Sequence, residues 1–130
     1  MRKTVILALV LIAAAGGAAA QDKVRAALAG AEGGLWEVTE PGTQRPSQRH
    51  CVPDPTELAQ YYHMGKQCTR VVVDQSKASA LIHYTCTGAG YGRSNMQLVT
   101  PRSMRIETQG MAGGAPFYHV LHARRVGSCR

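Results

Sequence analysis

The sequence predicts an all-β fold: mainly an antiparallel meander, curved into a sheet or partly closed barrel, with one short helix between the first strands and disulfide cross-links. Three observations point there. From residue 33 onward, short runs alternate apolar and polar residues, and Gly- or Pro-bearing turns separate them. A single clear helix start, Asp54-Pro55, interrupts the runs. Four cysteines, Cys51, Cys68, Cys86 and Cys129, all follow an export-type leader, and an even count in an oxidising compartment reads as two disulfides.

The 130 residues suit one domain. Met1-Arg2-Lys3 forms a positive start, Thr4 to Ala15 is uncharged and mostly aliphatic, and Ala18-Ala19-Ala20 fits a small-x-small cleavage site. Residues 1–20 are therefore expected to be a cleaved signal peptide. The apolar run is short for a membrane span of about 20 residues and ends in small residues rather than a charged stop. No Cys directly follows it to accept a lipid. The expected location is the periplasm or the cell exterior, with no stable membrane anchor. Thirteen Lys and Arg then face eight Asp and Glu, a net charge of +5 over 110 residues. A chain of this size buries about 60–65% of its unfolded surface, so cross-links add to a modest core.

The elements follow in order. Residues 21–32 are Ala-rich, lack a clear cap and are expected to be loose; residues 33–130 form the single β-rich domain. GLWEVTE alternates as a strand, with Trp36 and Val38 on one face and Leu35, Glu37 and Thr39 on the other. Pro41-Gly42 turns the chain, and the polar stretch from Gln44 to Val52, carrying Pro46, reads as an edge strand. Asp54 can cap a helix, Pro55 suits its first position, and Glu57 sits three residues after the cap. Leu58, Tyr61 and Tyr62 give this helix, Pro55 to His63, an apolar face, and Gly65 can end it. CTRVVVD and ALIHYTC then flank a turn at QSKAS. Ser94, Met96 and Leu98 share one face of the next strand. Met104, Ile106 and Thr108 point inward from the one after, Gly110–Ala115 is expected to be a flexible loop, and Pro116–Val126 is the last strand.

Four cysteines allow three connectivities. Cys68 and Cys86 are symmetric about Lys77, so folding the hairpin there sets them opposite each other, about 4.5–5.5 Å apart at Cα, within reach of a disulfide. Cys51 would then pair with Cys129. A one-residue slip would put Cys68 and Cys86 on opposite faces, and Cys51–Cys68 with Cys86–Cys129 stands as the next choice.

GLWEVT at Gly34–Thr39, HCVPDPTEL at His50–Leu58, TCTGAG at Thr85–Gly90 and ARRVGSC at Ala123–Cys129 occur in an order, and with a Cys framework, that resembles the secreted bacterial family labelled domain of unknown function 3617. The resemblance covers nearly all of the mature chain. It implies a small exported β-rich domain with no assigned activity, and it offers no catalytic residues to carry over. The last strand departs from the family pattern in being basic and His-bearing.

Function classes narrow in the same way. His119 and His122 lie three apart, which puts their rings on opposite faces of a strand, and His83 can share a face with either. They read as half-exposed strand histidines, so no metal or other cofactor is expected. Ser94 and Ser103 are isolated, no Gly-x-Ser-x-Gly elbow exists, the cysteines are paired, and the acids are scattered, so no catalytic constellation is read. TGAGYG and GMAGGA lack the Lys-Ser/Thr of a phosphate cradle. Arg102, Arg105, Arg124, Arg125 and Arg130 cluster late in the chain and can face an anionic partner, but a charge of +5 with seven aromatic residues argues against nucleic acid. The expectation is a non-catalytic envelope protein binding a small molecule or anion. A module pairing its edge strand with another envelope protein, and a cryptic enzyme, are the rivals.

Overall fold

The computed structural model describes residues 26–130. The expected signal peptide, residues 1–20, lies outside the described residues. Seven strands form one antiparallel sheet: β1 (Gly34–Thr39), β2 (Gln48–Val52), β3 (Cys68–Gln75), β4 (Ser79–Cys86), β5 (Gly90–Thr100), β6 (Ser103–Ala112) and β7 (Ala115–Gly127). Their spatial order is β2-β1-β7-β6-β5-β4-β3, so the sheet is open and β2 and β3 are its edges. The strands from β3 to β7 make the expected meander. β1 departs from it by pairing with β7, the last strand.

One face is buried, and alternation set it. Trp36, Val38, Ile82, Met96, Met104, Ile106, Leu121 and Ala123 point inward and are at most 2% exposed. The helix between β2 and β3 covers this face. It spans Pro55–His63 as expected, but it is a 3-10 helix kinked at Gln60. The Asp54 side chain accepts from the Thr56 backbone N–H at 3.0 Å and from the Thr56 hydroxyl at 2.8 Å. Leu58 and Ala59 are fully buried against the sheet. The Ser94 hydroxyl donates to the Ala59 carbonyl and lies 2.8 Å from the Thr108 hydroxyl, so the helix is held by a buried polar link as well as by packing.

Residues 26–32 differ from the loose segment expected. Ala27 and Leu28 are buried, and backbone N–H groups of Leu28, Gly30 and Glu32 donate to Ser76, Lys77 and Pro101. An Ala-rich stretch with one Leu finds room because the β3–β4 and β5–β6 turns leave carbonyls facing it. The Trp36 indole N–H closes the segment onto β1 by donating to the Glu32 carbonyl at 3.0 Å.

The Gly110–Ala115 stretch is likewise more ordered than a flexible loop. Strand β6 runs on to Ala112, β7 starts at Ala115, and only Gly113-Gly114 turns, both at positive φ. Two such residues match the twist of a two-residue hairpin.

Two disulfides close the fold. Cys51–Cys129 ties edge strand β2 to the tail beyond β7, and Cys68–Cys86 joins β3 to β4. Among the described residues no helix is long and apolar enough to cross a membrane.

Candidate functional site

At one end of the buried face, β1, β2, β7 and the helix leave a cleft of about 300 Å³. Local chemistry builds it. Strand β1 ends at Thr39, and Pro41-Gly42 turns the chain with Gly42 at φ +80°. The Thr43 N–H and hydroxyl both donate to the Glu40 carbonyl, at 3.3 and 2.9 Å. This turn holds the Glu40 carboxylate inward at 12% exposure and brings Arg45 over it, 3.4 Å away.

Glu40 is the hub. The Tyr62 hydroxyl, from the last turn of the helix, donates to Oε2 at 3.2 Å. His119 Nδ1, from the inward face of β7, bonds Oε1. The His119 ring stacks on Tyr62, with ring centres 4.2 Å apart, and Phe117, two residues earlier on the same face of β7, also stacks on Tyr62 at 5.1 Å. Tyr61 meets Tyr62 edge-on, and His50 of β2 meets Tyr61 edge-on. A continuous band of rings thus runs from β2 under the helix to β7.

His50 differs from its neighbours. Its Nε2 is buried and has no hydrogen-bond partner among the described residues. A buried polar atom without a partner costs about 1–3 kcal/mol. His63, by contrast, is satisfied on both sides: Nε2 meets the Ala89 carbonyl at 3.0 Å and Nδ1 meets the Tyr84 hydroxyl at 3.1 Å. A carbonyl only accepts, so Nε2 carries the proton and Tyr84 donates to Nδ1.

Burial and then the Glu40 charge push the Tyr61 and Tyr62 phenols up from their ordinary value, with Arg45 opposing. Both therefore remain neutral donors at physiological pH. They hold and orient; they do not act as bases.

The residues singled out from the sequence fall elsewhere or combine differently. Neither disulfide lines the cleft. His119 and His122 do lie on opposite faces, His119 inward and His122 exposed. Four of the five late arginines face acids. Arg102 and Arg125 approach Glu32 at 4.0 and 3.8 Å, Arg105 meets Glu107 at 3.1 Å, and Arg124 meets Glu37 at 3.7 Å. These four share three acids, and Glu37 also pairs with Arg49 at 2.9 Å, so the expected basic patch is only partly offset. Sequence reasoning missed Glu40 and His50 altogether and took Tyr61 and Tyr62 for core. The only sequence signal was an acid placed at a strand end just before a Pro-Gly turn.

An open antiparallel sheet, capped by a 3-10 helix and closed by two disulfides, defines a small cross-linked β domain. A family model described as a protein of unknown function, DUF3617, matches residues 31–129, and the chain belongs to that family. No curated protein and no solved structure matches it.

Proposed function

We propose that this chain is an exported cell-envelope protein that holds a small polar ligand, without transforming it, in the cleft around Glu40. The single observation carrying the reading is the buried, unpartnered His50 Nε2 beside Tyr61 in that cleft. A ligand hydrogen-bonding there would relieve the cost of its burial. Arg45, 63% exposed at the mouth, suits an anionic group on the same ligand. The leader read from the sequence and the two disulfides support export. Neutral tyrosines around a fully bonded carboxylate favour binding over acid–base chemistry.

The test is a thermal-shift screen of the periplasmic protein against fractionated small molecules from the envelope, followed by native mass spectrometry. At least one fraction should stabilise the wild type, and His50→Leu should lose that shift while melting no lower than the wild type without ligand. A wild type indifferent to every fraction overturns the reading.

A second reading has one observation in its favour. Val71 and Val73 stand 58% and 50% exposed on open edge strand β3. Such an edge can add a strand from another envelope protein. Val71→Lys would then abolish partner binding and leave any ligand-induced shift intact.

A further inference from the structure

The sheet carries an open edge in its interior as well as at its two ends. Strand β7 is 13 residues long and β1 only 6. β6 pairs with β7 from Ala115 to Arg124, but β1 pairs with it only from His122 to Gly127. Ala115 to Leu121 are therefore unpaired on the β1 side, which leaves a notch beside them. Local chemistry makes it. Two residues beyond Thr39, the register would set Pro41 opposite Val120. Proline has no N–H to give, and the Pro41-Gly42 turn carries the chain away.

The phase of β7 decides which groups face the notch. In an antiparallel strand each residue turns its N–H and C=O to one side, and successive residues alternate. The Arg125 N–H donates to the Arg102 carbonyl, on the β6 side, at 2.8 Å. The His122 carbonyl accepts from the Thr39 hydroxyl, on the β1 side, at 3.3 Å. Both contacts set the same phase, so Val120, Tyr118 and Pro116 turn their backbone polar groups into the notch. Pro116 brings only a carbonyl, and its missing N–H falls where β6 does not need it. Among the described residues no backbone group bonds these N–H and C=O groups.

We infer that the notch takes an extended segment of another polypeptide, added as a single strand antiparallel to β7 and in line with β1. The residues meeting Val120 and Tyr118 each exchange both backbone bonds with them. An extended peptide carries donors and acceptors at the matching repeat, about 6.8 Å for every second residue. The flanking side chains set its preference. Tyr118, 57% exposed and held by its bond to Glu107, stands with Val120 on the outer face. Phe117 and His119 stand on the inner face, in the band of rings around Tyr62. Aromatic and β-branched residues are the favoured cross-strand partners of such side chains. The nearby acids, Glu40 and Glu107, already face Arg45 and Arg105, so the incoming strand needs no charge. The occupant is thus an uncharged β-branched or aromatic stretch. A second copy of this chain fits less well. Its β3 edge is broken by a bulge between Val72 and Asp74, and its β2 edge is the polar run Gln48-Arg49-His50.

Amide hydrogen exchange, followed by NMR on the mature protein, tests this with end-blocked pentapeptides that alternate threonine with valine, leucine or phenylalanine. In the free protein the Tyr118 and Val120 amides should exchange readily, whereas those of His119 and Leu121, which face β6, should be protected. With at least one peptide at about ten times its Kd, the Tyr118 and Val120 amides should slow about ten-fold. N-methylating the central residue, whose N–H is aimed at Tyr118, should abolish the effect. N-methylating the residue next to it, whose N–H points away from β7, should retain it. Val120→Pro should lose the peptide and melt close to the wild type, because that N–H has no partner in the sheet. Tyr118 and Val120 amides already as protected as His119 in dilute free protein overturn the inference. So does a lack of protection with every peptide at millimolar concentration, or protection that survives central N-methylation. Protection that appears at Val71 and Val73 of β3 instead overturns it too, as does protection that rises with protein concentration alone, the mark of a second copy in the notch.

Discussion

Cys68 stands directly opposite Cys86, their Cα atoms 4.0 Å apart, although the turn that joins their strands is not centred where that pairing requires. Near the cysteines the pairing is centred on Lys77. Near the turn, where Gln75 faces Ala80, it is centred half a residue later. A bulge at Val73 absorbs the difference. It lets a two-residue turn, closed by the Ser76 N–H on the Ser79 carbonyl at 2.8 Å, coexist with a bridged pair nine residues from Lys77 on either side.

Deleting Val73 should therefore be tolerated. The shortened strand pairs regularly, and the same disulfide forms. Bulges also blunt open edges, so the deletion variant should self-associate more than the wild type. Peptide mapping and light scattering check both outcomes; a mispaired Cys68 would refute the register account.

Reduction should destabilise the protein strongly. Cys68–Cys86 closes a separation of 18 residues and Cys51–Cys129 one of 78. By chain entropy these contribute about 3 and 4–5 kcal/mol. The Cys51→Ser, Cys129→Ser pair should lower the urea midpoint more than Cys68→Ser, Cys86→Ser.

Ser94→Ala should cost about 1–3 kcal/mol, because it leaves the buried Ala59 carbonyl without its donor. Thr108→Val should add less than its single effect in that background, since both hydroxyls belong to one network. Denaturant titration of the double-mutant cycle measures this.

Burial pushes the Tyr84 phenol up to about 12 from 10.0, with the Thr108 bond working against the shift. The fold thus favours the neutral phenol. Its contribution is fully present below pH 10 and is lost as pH rises toward 12. The melting temperature should fall across that window. Tyr84→Phe should be less stable at neutral pH, by about 1 kcal/mol, and should show a shallower alkaline fall. The fall should not vanish, because Tyr61, Tyr62 and Tyr118 are raised in the same direction.

Gly110→Ala should be worse than Gly92→Ala. A Cβ at Gly110 would lie 2.1 Å from the Tyr91 backbone oxygen, which cannot move without breaking the sheet. A Cβ at Gly92 would meet the Tyr84 ring end at 2.4 Å, where a rotamer shift relieves part of the clash. Overpacking of this kind costs about 1–3 kcal/mol at the milder site.

Local chemistry was legible in the sequence; long-range placement was not. Trp36 and Val38, Ser94 and Met96, and Met104 and Ile106 fell on the buried face because a period of two leaves no other arrangement. Asp54-Pro55 announced the helix, and Cys68 and Cys86 announced their own hairpin. Glu40 and His119 stand 79 residues apart and meet only because β1 pairs with β7. No local pattern encodes that pairing. The same holds for Glu32 and Glu37, whose positions offset arginines nearly a hundred residues away, and for Leu28, whose burial depends on turns formed far downstream. Gly110 read as loop because glycine signals freedom in a sequence. In the sheet it sits where a neighbouring backbone allows nothing larger.

The strand order carries a consequence for how the chain comes together during synthesis. The β1–β2 hairpin emerges first, the β3–β6 ribbon second, and within the sheet only β7 joins the two halves. A nascent chain halted before Ala115 holds two strips of sheet that no strand joins, each with an unsealed side. The last thirteen-residue strand is the keystone, and completion of the molecule waits on its arrival.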